Sequence, residues 1–304
     1  MAELPPPGAN MPQIKQILCP VDFSKPSARA YDSAQSLARH YHARLFLQHV
    51  VDFVLPSYAY YADAIYITEL LQTIRDGGRK QLQDFARSHM RCGVLPECVV
   101  NEGGVTDSIL SFAAAQKVDL IVMGTYGLKG VDRVALGSVA EKVLRKAPCP
   151  VLVSRKPGHA VVAPDDAEGS IQLHKVIFCT DFSDPAGRAW EYALSVATEY
   201  DAEITLLHVL DDVQSLVNIQ EAIATATKQL DKLTPPEGGK AAKVRTMVRI
   251  GRAYEQIIQL ASEIQADLLI MAVRGRNALD LAVFGSTTYR AIQLGSCSVL
   301  AVRV

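Results

Sequence analysis

The chain has 304 residues, 49% hydrophobic and 21% charged, with a formal net charge of −1. That length and apolar content suffice for two ordinary domains and exclude a disordered chain. The near-neutral balance without a basic tract argues against nucleic acid as a partner, and no apolar run reaches membrane-spanning length.

The first segment, MAELPPPGANMPQ, lacks the basic-then-apolar pattern of a secretory signal. Lys15–Val21 reads as a strand, followed by Asp22-Phe23-Ser24, an early Pro26 and a helix to about Tyr41. Arg44–Val51 is a second strand. An aromatic, irregular stretch with Tyr58, Tyr60, Tyr61 and Tyr66 comes next. It reads either as a lid or partner surface or as local packing over the helices. A long helix is expected over Thr68–Met90, a strand at Glu97–Asn101 and a helix over Val105–Gln116. Asp119–Met123 is a short apolar run of the kind a buried parallel strand needs. Gly124 and Gly127 break it, and Gly137-Ser138 opens an amphipathic helix with Val139, Val143 and Leu144 on one face. A last strand spans Pro150–Ser154.

The spacing G-x2-G-x9-G-S describes a two-part phosphate cradle. Glycine permits positive φ and close backbone approach, and a helix N-terminus offers unpaired N–H groups to an anion. Ser138 can cap that helix or donate to the phosphate. The same residues could also form a simple turn with an ordinary cap.

Residues 156–172 have the Pro, Gly and Asp content of a linker. The order then starts again. Strands are expected at Lys175–Thr180, Glu203–Leu210, Lys243–Ile250 and Ser298–Val302. Helices are expected over Pro185–Tyr200, near Val213–Lys232 and over Ala253–Ile264. Asp181 follows Asp22 by 159 positions (181 − 22), as His208 follows His49. Gly275, Gly285 and Cys297 follow Gly127, Gly137 and Cys149 by 148 (275 − 127). The second copy is therefore 11 residues shorter (159 − 148), and the difference falls in the interval holding the tyrosine-rich stretch. Strands alternating with helices predict an α/β architecture of two tandem Rossmann-like domains, 13–155 and 173–304. Each is expected to be a five-stranded parallel sheet with helices on both faces. Ligands in such sheets sit at the carboxyl ends of the strands.

The motifs VDFS (Val21–Ser24) and TDFS (Thr180–Ser183), the strand ends HVV and HVL, and IVMGTYGLKG…LGSVAEKVLRKAPCPVLV together resemble a tandem universal stress protein. The resemblance implies an ATP-binding, stress-response regulatory protein. A divalent metal such as Mg would accompany the phosphates, and the two domains would pair pseudo-symmetrically, with further homodimerisation open. ATP would be bound by Pro20, Val21, Asp22, Val50, Met123, Gly124, Gly127, Gly137, Ser138 and Val139 in the first domain. In the second the matching positions are Thr180, Asp181, Val209, Ala272, Gly275, Gly285, Ser286 and Thr287. Ala272 departs from the pattern. Its methyl group and its reluctance to adopt positive φ predict weaker phosphate binding there, with Arg274 and Arg276 as nearby charges.

Other chemistry finds little support. Neither loop continues into a Walker A sequence, and no G-x-G-x-x-G occurs. His49 and His208 lie in strands without a nucleophile at hand and read as buried, hydrogen-bonded residues. Asp132 and Arg133 could touch a metal or phosphate, or be solvated. Cys19, Cys92, Cys98, Cys149, Cys179 and Cys297 form no C-x-x-C pair, so no metal site is expected and several read as small core hydrophobes. The expectation is a cytoplasmic protein that binds nucleotide and hydrolyses it slowly if at all. A slow ATP hydrolase and a non-nucleotide scaffold are the alternatives.

Overall fold

The computed structural model describes residues 14–52, 64–91, 93–125, 136–155, 171, 173–211, 218–235, 243–273 and 285–303. Outside them lie Cys92, the linker core, most of the tyrosine-rich stretch, and the loop residues Gly127, Asp132, Arg133, Arg274, Gly275 and Arg276.

The first copy runs β1 (Gln16–Pro20), α1 (Lys25–Tyr41), β2 (Arg44–Val51), α2 (Ala64–Ser88), β3 (Glu97–Glu102), α3 (Val105–Ala115), β4 (Leu120–Gly124), α4 (Ser138–Lys146) and β5 (Val151–Ser154). The second repeats it: β6 (Lys175–Cys179), α5 (Asp184–Glu199), β7 (Glu203–Leu210), α6 (Ile219–Leu233), β8 (Val244–Ile250), α7 (Ala253–Glu263), β9 (Leu268–Ala272), α8 (Ser286–Leu294) and β10 (Ser298–Val302). The mixed α/β architecture and the repeat agree with the sequence reading. Where they can be compared, the element limits differ from it by a few residues at most, the largest shift being at the start of α2; Val213, the expected start of the helix before Lys232, lies outside the described residues.

The strands of the described residues lie in one ten-stranded sheet of order β3-β2-β1-β4-β5-β10-β9-β6-β7-β8. Within each copy the neighbours are parallel. Such strands are apolar on both sides because helices cover both faces. Residues therefore alternate between two cores. Ile17, Cys19, Leu120 and Val122 join the cluster under α1, α2, α5 and α6, whereas Leu18, Ile121 and Met123 join the one under α3, α4, α7 and α8. Burial pushes the Cys149 thiol up to about 12 and the Cys297 thiol to about 11, and also raises those of Cys19 and Cys179. These thiols stay neutral and pack as hydrophobes.

Each copy fastens its first strand to its fourth with the aspartate that precedes the fourth strand. Asp119 Oδ2 accepts from the Lys15 and Gln16 N–H groups at 2.8 and 2.9 Å. Asp267 does the same for His174 and Lys175, both at 2.8 Å.

Between the copies, β5 and β10 run antiparallel, with Leu152 opposite Leu300. These two residues are repeat equivalents, so a pseudo-twofold axis passes between them and the contact is self-complementary. The same axis relates the other contacts across this seam. The Tyr200 hydroxyl donates to that of its equivalent, Tyr41, at 3.2 Å. His40 Nε2 meets Glu199 Oε1 at 2.8 Å. Arg155, just past β5, donates to the Ile292 and Gln293 carbonyls at the end of α8. Its equivalent Arg303, past β10, donates to the Arg145 carbonyl at the end of α4. Each arginine thus satisfies helix-terminal carbonyls of the opposite copy, where a cation is also favoured by the helix dipole.

Leu152 and Leu300 are 4% and 5% exposed. Replacing either with alanine should cost about 2–5 kcal/mol in urea denaturation. The double variant should cost less than the sum by about 0.5 kcal/mol or more, because the two side chains share one contact. Strict additivity would mean that they do not meet.

Candidate functional site

In a 3-2-1-4-5 sheet the strand order reverses between β1 and β4, and the crevice for a ligand opens there, at the carboxyl ends. The residues at these ends are held by local bonds that occur in both copies. After β1, Asp22 Oδ1 accepts from the Ser24 N–H at 3.2 Å and from its hydroxyl at 2.6 Å. Ser24 is the N-cap of α1. After β6, Asp181 Oδ1 accepts from the Ser183 N–H at 3.0 Å and its hydroxyl at 2.6 Å, and Ser183 caps α5. These turns force the intervening aromatics into left-handed backbone, φ 64° at Phe23 and 60° at Phe182. Bulky residues avoid that region, so the surroundings must hold them.

Histidine does the holding. His49 Nδ1 lies 2.9 Å from the Val21 carbonyl, and the His49 ring packs on Phe23 with centroids 4.3 Å apart. His208 repeats this with Thr180 at 2.8 Å and Phe182 at 4.4 Å. A carbonyl can only accept, so Nδ1 carries the proton in both rings. Both histidines are half-buried and hydrogen-bonded. The Thr180 hydroxyl adds a bond of its own, accepting from the Phe182 N–H at 3.0 Å.

On the face of α3 and α4, Val50 and Met123 are buried, with half-buried Val139 packed against the same cluster; Pro20 is half-buried at the end of β1. Val209 occupies the position of Val50 in the second copy and is half-buried. Val50, Met123 and Val139 thus belong to one apolar cluster on the same face of the sheet, with β1 between the strands of Val50 and Met123.

The cap of α4 differs from the expectation for Ser138. Gly137 is the N-cap, at φ −62° and ψ 143°, with no side-chain cap bond, and its N–H donates to the Thr125 carbonyl at 2.8 Å. Ser138 is the first helical residue and is exposed. Gly285 caps α8 in the same bare manner, with Ser286 exposed and Thr287 half-buried. The φ of −58° at Gly285 is open to any residue, and a methyl group there would meet nothing nearer than 3.7 Å. The fold itself does not require glycine at that cap.

Gly124 differs as well. It does not adopt positive φ; a Cβ there would sit 2.9 Å from Pro26 Cβ and from the Pro26 carbonyl carbon. The side-chain direction at this position faces α1, not the α4 side. Ala272 likewise packs against the cluster under α1 and α5. Its methyl group therefore bears first on how closely α5 approaches β9, and positive φ has no part in it.

The sequence profile of the universal stress protein family matches residues 13–155 and again 172–303. The chain belongs to the universal stress protein family. Among curated relatives, Universal stress protein MJ0531 of Methanocaldococcus jannaschii is 38% identical over 145 residues, 47% of this chain and 83% of its own. Universal stress protein YxiE of Bacillus subtilis is 31% identical over 145 residues, 46% of this chain and 98% of its own. Each relative thus corresponds to about one copy of the repeat. A universal stress protein structure from Archaeoglobus fulgidus aligns over 96% of this chain and 97% of its own, with a TM-score of 0.63 and 19% identity. That match establishes the shared fold. Among the described residues of this universal stress protein, no helix is long and apolar enough to cross a membrane, and no group of three metal-binding side chains occurs.

Gly124→Ala should lower stability by about 1–3 kcal/mol, because the added methyl must displace backbone of α1. The check is denaturation in the absence of nucleotide. Unchanged stability would place the demand for glycine on a ligand instead.

Proposed function

We infer that this universal stress protein is a cytoplasmic ATP-binding regulator. ATP would lie across the carboxyl ends of β1, β2 and β4, with a second, weaker site in the other copy. The observation that carries this reading is the bare glycine cap of α4. Among the described residues the first turn has no side-chain cap bond, and it stands beside an exposed serine hydroxyl, which suits a phosphate. Val50, Met123 and Val139, apolar residues of one cluster on the same face, suit a nucleobase. The bare cap at Gly285, which the fold does not demand, extends the reading to the second copy.

Within this reading the nucleotide contacts are those the resemblance implies, with Gly127 and Gly275 completing the loops. Asp22 and Asp181 would offer carboxylate oxygen to ribose hydroxyls while fixing their helix caps. The divalent cation would be held through the phosphates.

The first copy ranks higher for a steric reason. Gly124 lets the first turn of α1 rest against the end of β4, and the Asp22 turn comes with it. The methyl group of Ala272 closes the same approach to α5. The functional unit would be two domains, 13–155 and 173–304, joined by a 156–172 linker and paired through β5 and β10. Asp22 and His49 already serve the turn after β1, so the expected chemistry is binding with at most slow hydrolysis.

Ser138→Ala and Ser286→Ala, titrated separately with ATP, test the site and its ranking. A hydrogen bond to a charged group is worth about 1.5–3 kcal/mol, or roughly tenfold or more in affinity. Ser138→Ala should remove most binding at unchanged stability, and Ser286→Ala little. Equal losses would mean equivalent sites, and no loss in either would place the phosphates elsewhere.

A further inference from the structure

Beside Val50 the first copy holds a polar pair that the second copy lacks. Gln48 lies two residues before Val50 on β2 and so on the same side of the sheet. It is fully buried, at 0% exposure, in a setting that otherwise reads Phe46 and Val50. Its Nε2 donates to Asn101 Oδ1 at 2.8 Å and to the Ser108 carbonyl at 3.3 Å. Among the described residues its buried Oε1 has no hydrogen-bond partner. Asn101 is half-buried at the end of β3, directly across from Val50 in the strand register.

The chemistry fixes both amides. The Ser108 carbonyl can only accept, so the Gln48 atom facing it is the NH2 group. That group also meets Asn101, whose facing atom must then be its carbonyl oxygen. The Asn101 NH2 is thereby turned away from Gln48, on a residue that lies across from Val50 in the register. In the second copy Leu207 stands where Gln48 stands, and Arg249 pairs with Val209 as Asn101 does with Val50. Arg249 is tied to Glu263 by a short ion pair and a second contact at 3.4 Å. A buried glutamine with an orphaned oxygen is costly to retain where leucine serves the same core position. Such costs are characteristically kept at functional sites.

We propose that Asn101 is the base-reading residue of the first copy, donating its NH2 to a ring acceptor of a nucleotide base, and that Gln48 is the positioning residue that fixes this donor. The proposal rests on the nucleotide reading above. It adds an amide contact to the base where the second copy has Arg249, tied to Glu263, and so a difference in ligand preference between the two copies.

Two probes in competition titrations on the full chain separate the possibilities: ATP, which carries the base, and inorganic tripolyphosphate, which does not. Asn101→Ala should weaken ATP binding about tenfold, the loss of one hydrogen bond, and leave tripolyphosphate binding unchanged. Gln48→Leu, which copies the second unit's core, should weaken ATP binding severalfold in the wild-type background and have no further effect once Asn101 is alanine. Equal weakening of both probes by Asn101→Ala would show a structural role and overturn the proposal. Unchanged ATP binding would overturn it as well. If the wild-type chain bound neither probe, the nucleotide reading itself would fail first, and this proposal with it.

Discussion

The antiparallel contact of β5 with β10 is the constraint on which the rest depends. Each copy alone would end in a strand of consecutive apolar residues, VLVS or SVLAV, exposed at a sheet edge. An unpaired apolar edge is a template for aggregation. Pairing the two edges converts two five-stranded sheets into one of ten strands, with half-buried β3 and β8 as its margins. Self-complementarity follows from the repeat, since a strand opposite its own equivalent meets matching side chains in reverse order. Because β5 and β10 run in opposite directions, the carboxyl ends of β4 and β9 point to opposite ends of the strands, and so would the two ligand crevices.

Each cleft is shaped by a small set of bonds after its first strand. The Asp22–Ser24 turn, the left-handed Phe23 and the His49 clamp form one unit, repeated at Asp181, Phe182 and His208. The strain of two bulky residues at positive φ is held by hydrogen bonds and ring packing at both places. The histidine is thus a structural partner of the loop. The aspartate has a double character, since one of its oxygens fixes a helix cap whatever else the carboxylate binds.

Much of this was legible in the sequence. The short apolar runs, the alternation of strand and helix, and the offsets of 159 and 148 positions were enough for the α/β class and the repeat. What was not legible depended on contacts between distant segments. The need for glycine at position 124 comes from Pro26, which no local pattern connects to it. The bond from His49 to Val21, and the reciprocal arginine caps across the seam, are likewise products of assembly. Ser138 read as a cap or a phosphate donor; the cap is Gly137, one residue earlier, and Ser138 is the first helical residue. Gln48 could have drawn notice as a lone amide in RLFLQHVV, where its repeat equivalent is leucine. The relevance of Asn101 needed the register of β2 with β3.

The central claim is that the chain holds an adenine nucleotide. Its most direct test is to purify the full chain, release bound small molecules by heat, and identify them by chromatography, followed by equilibrium dialysis with added ATP. The account predicts ATP in the released fraction or saturable uptake of added ATP. A chain that releases no nucleotide and takes up none at saturating ATP would contradict it.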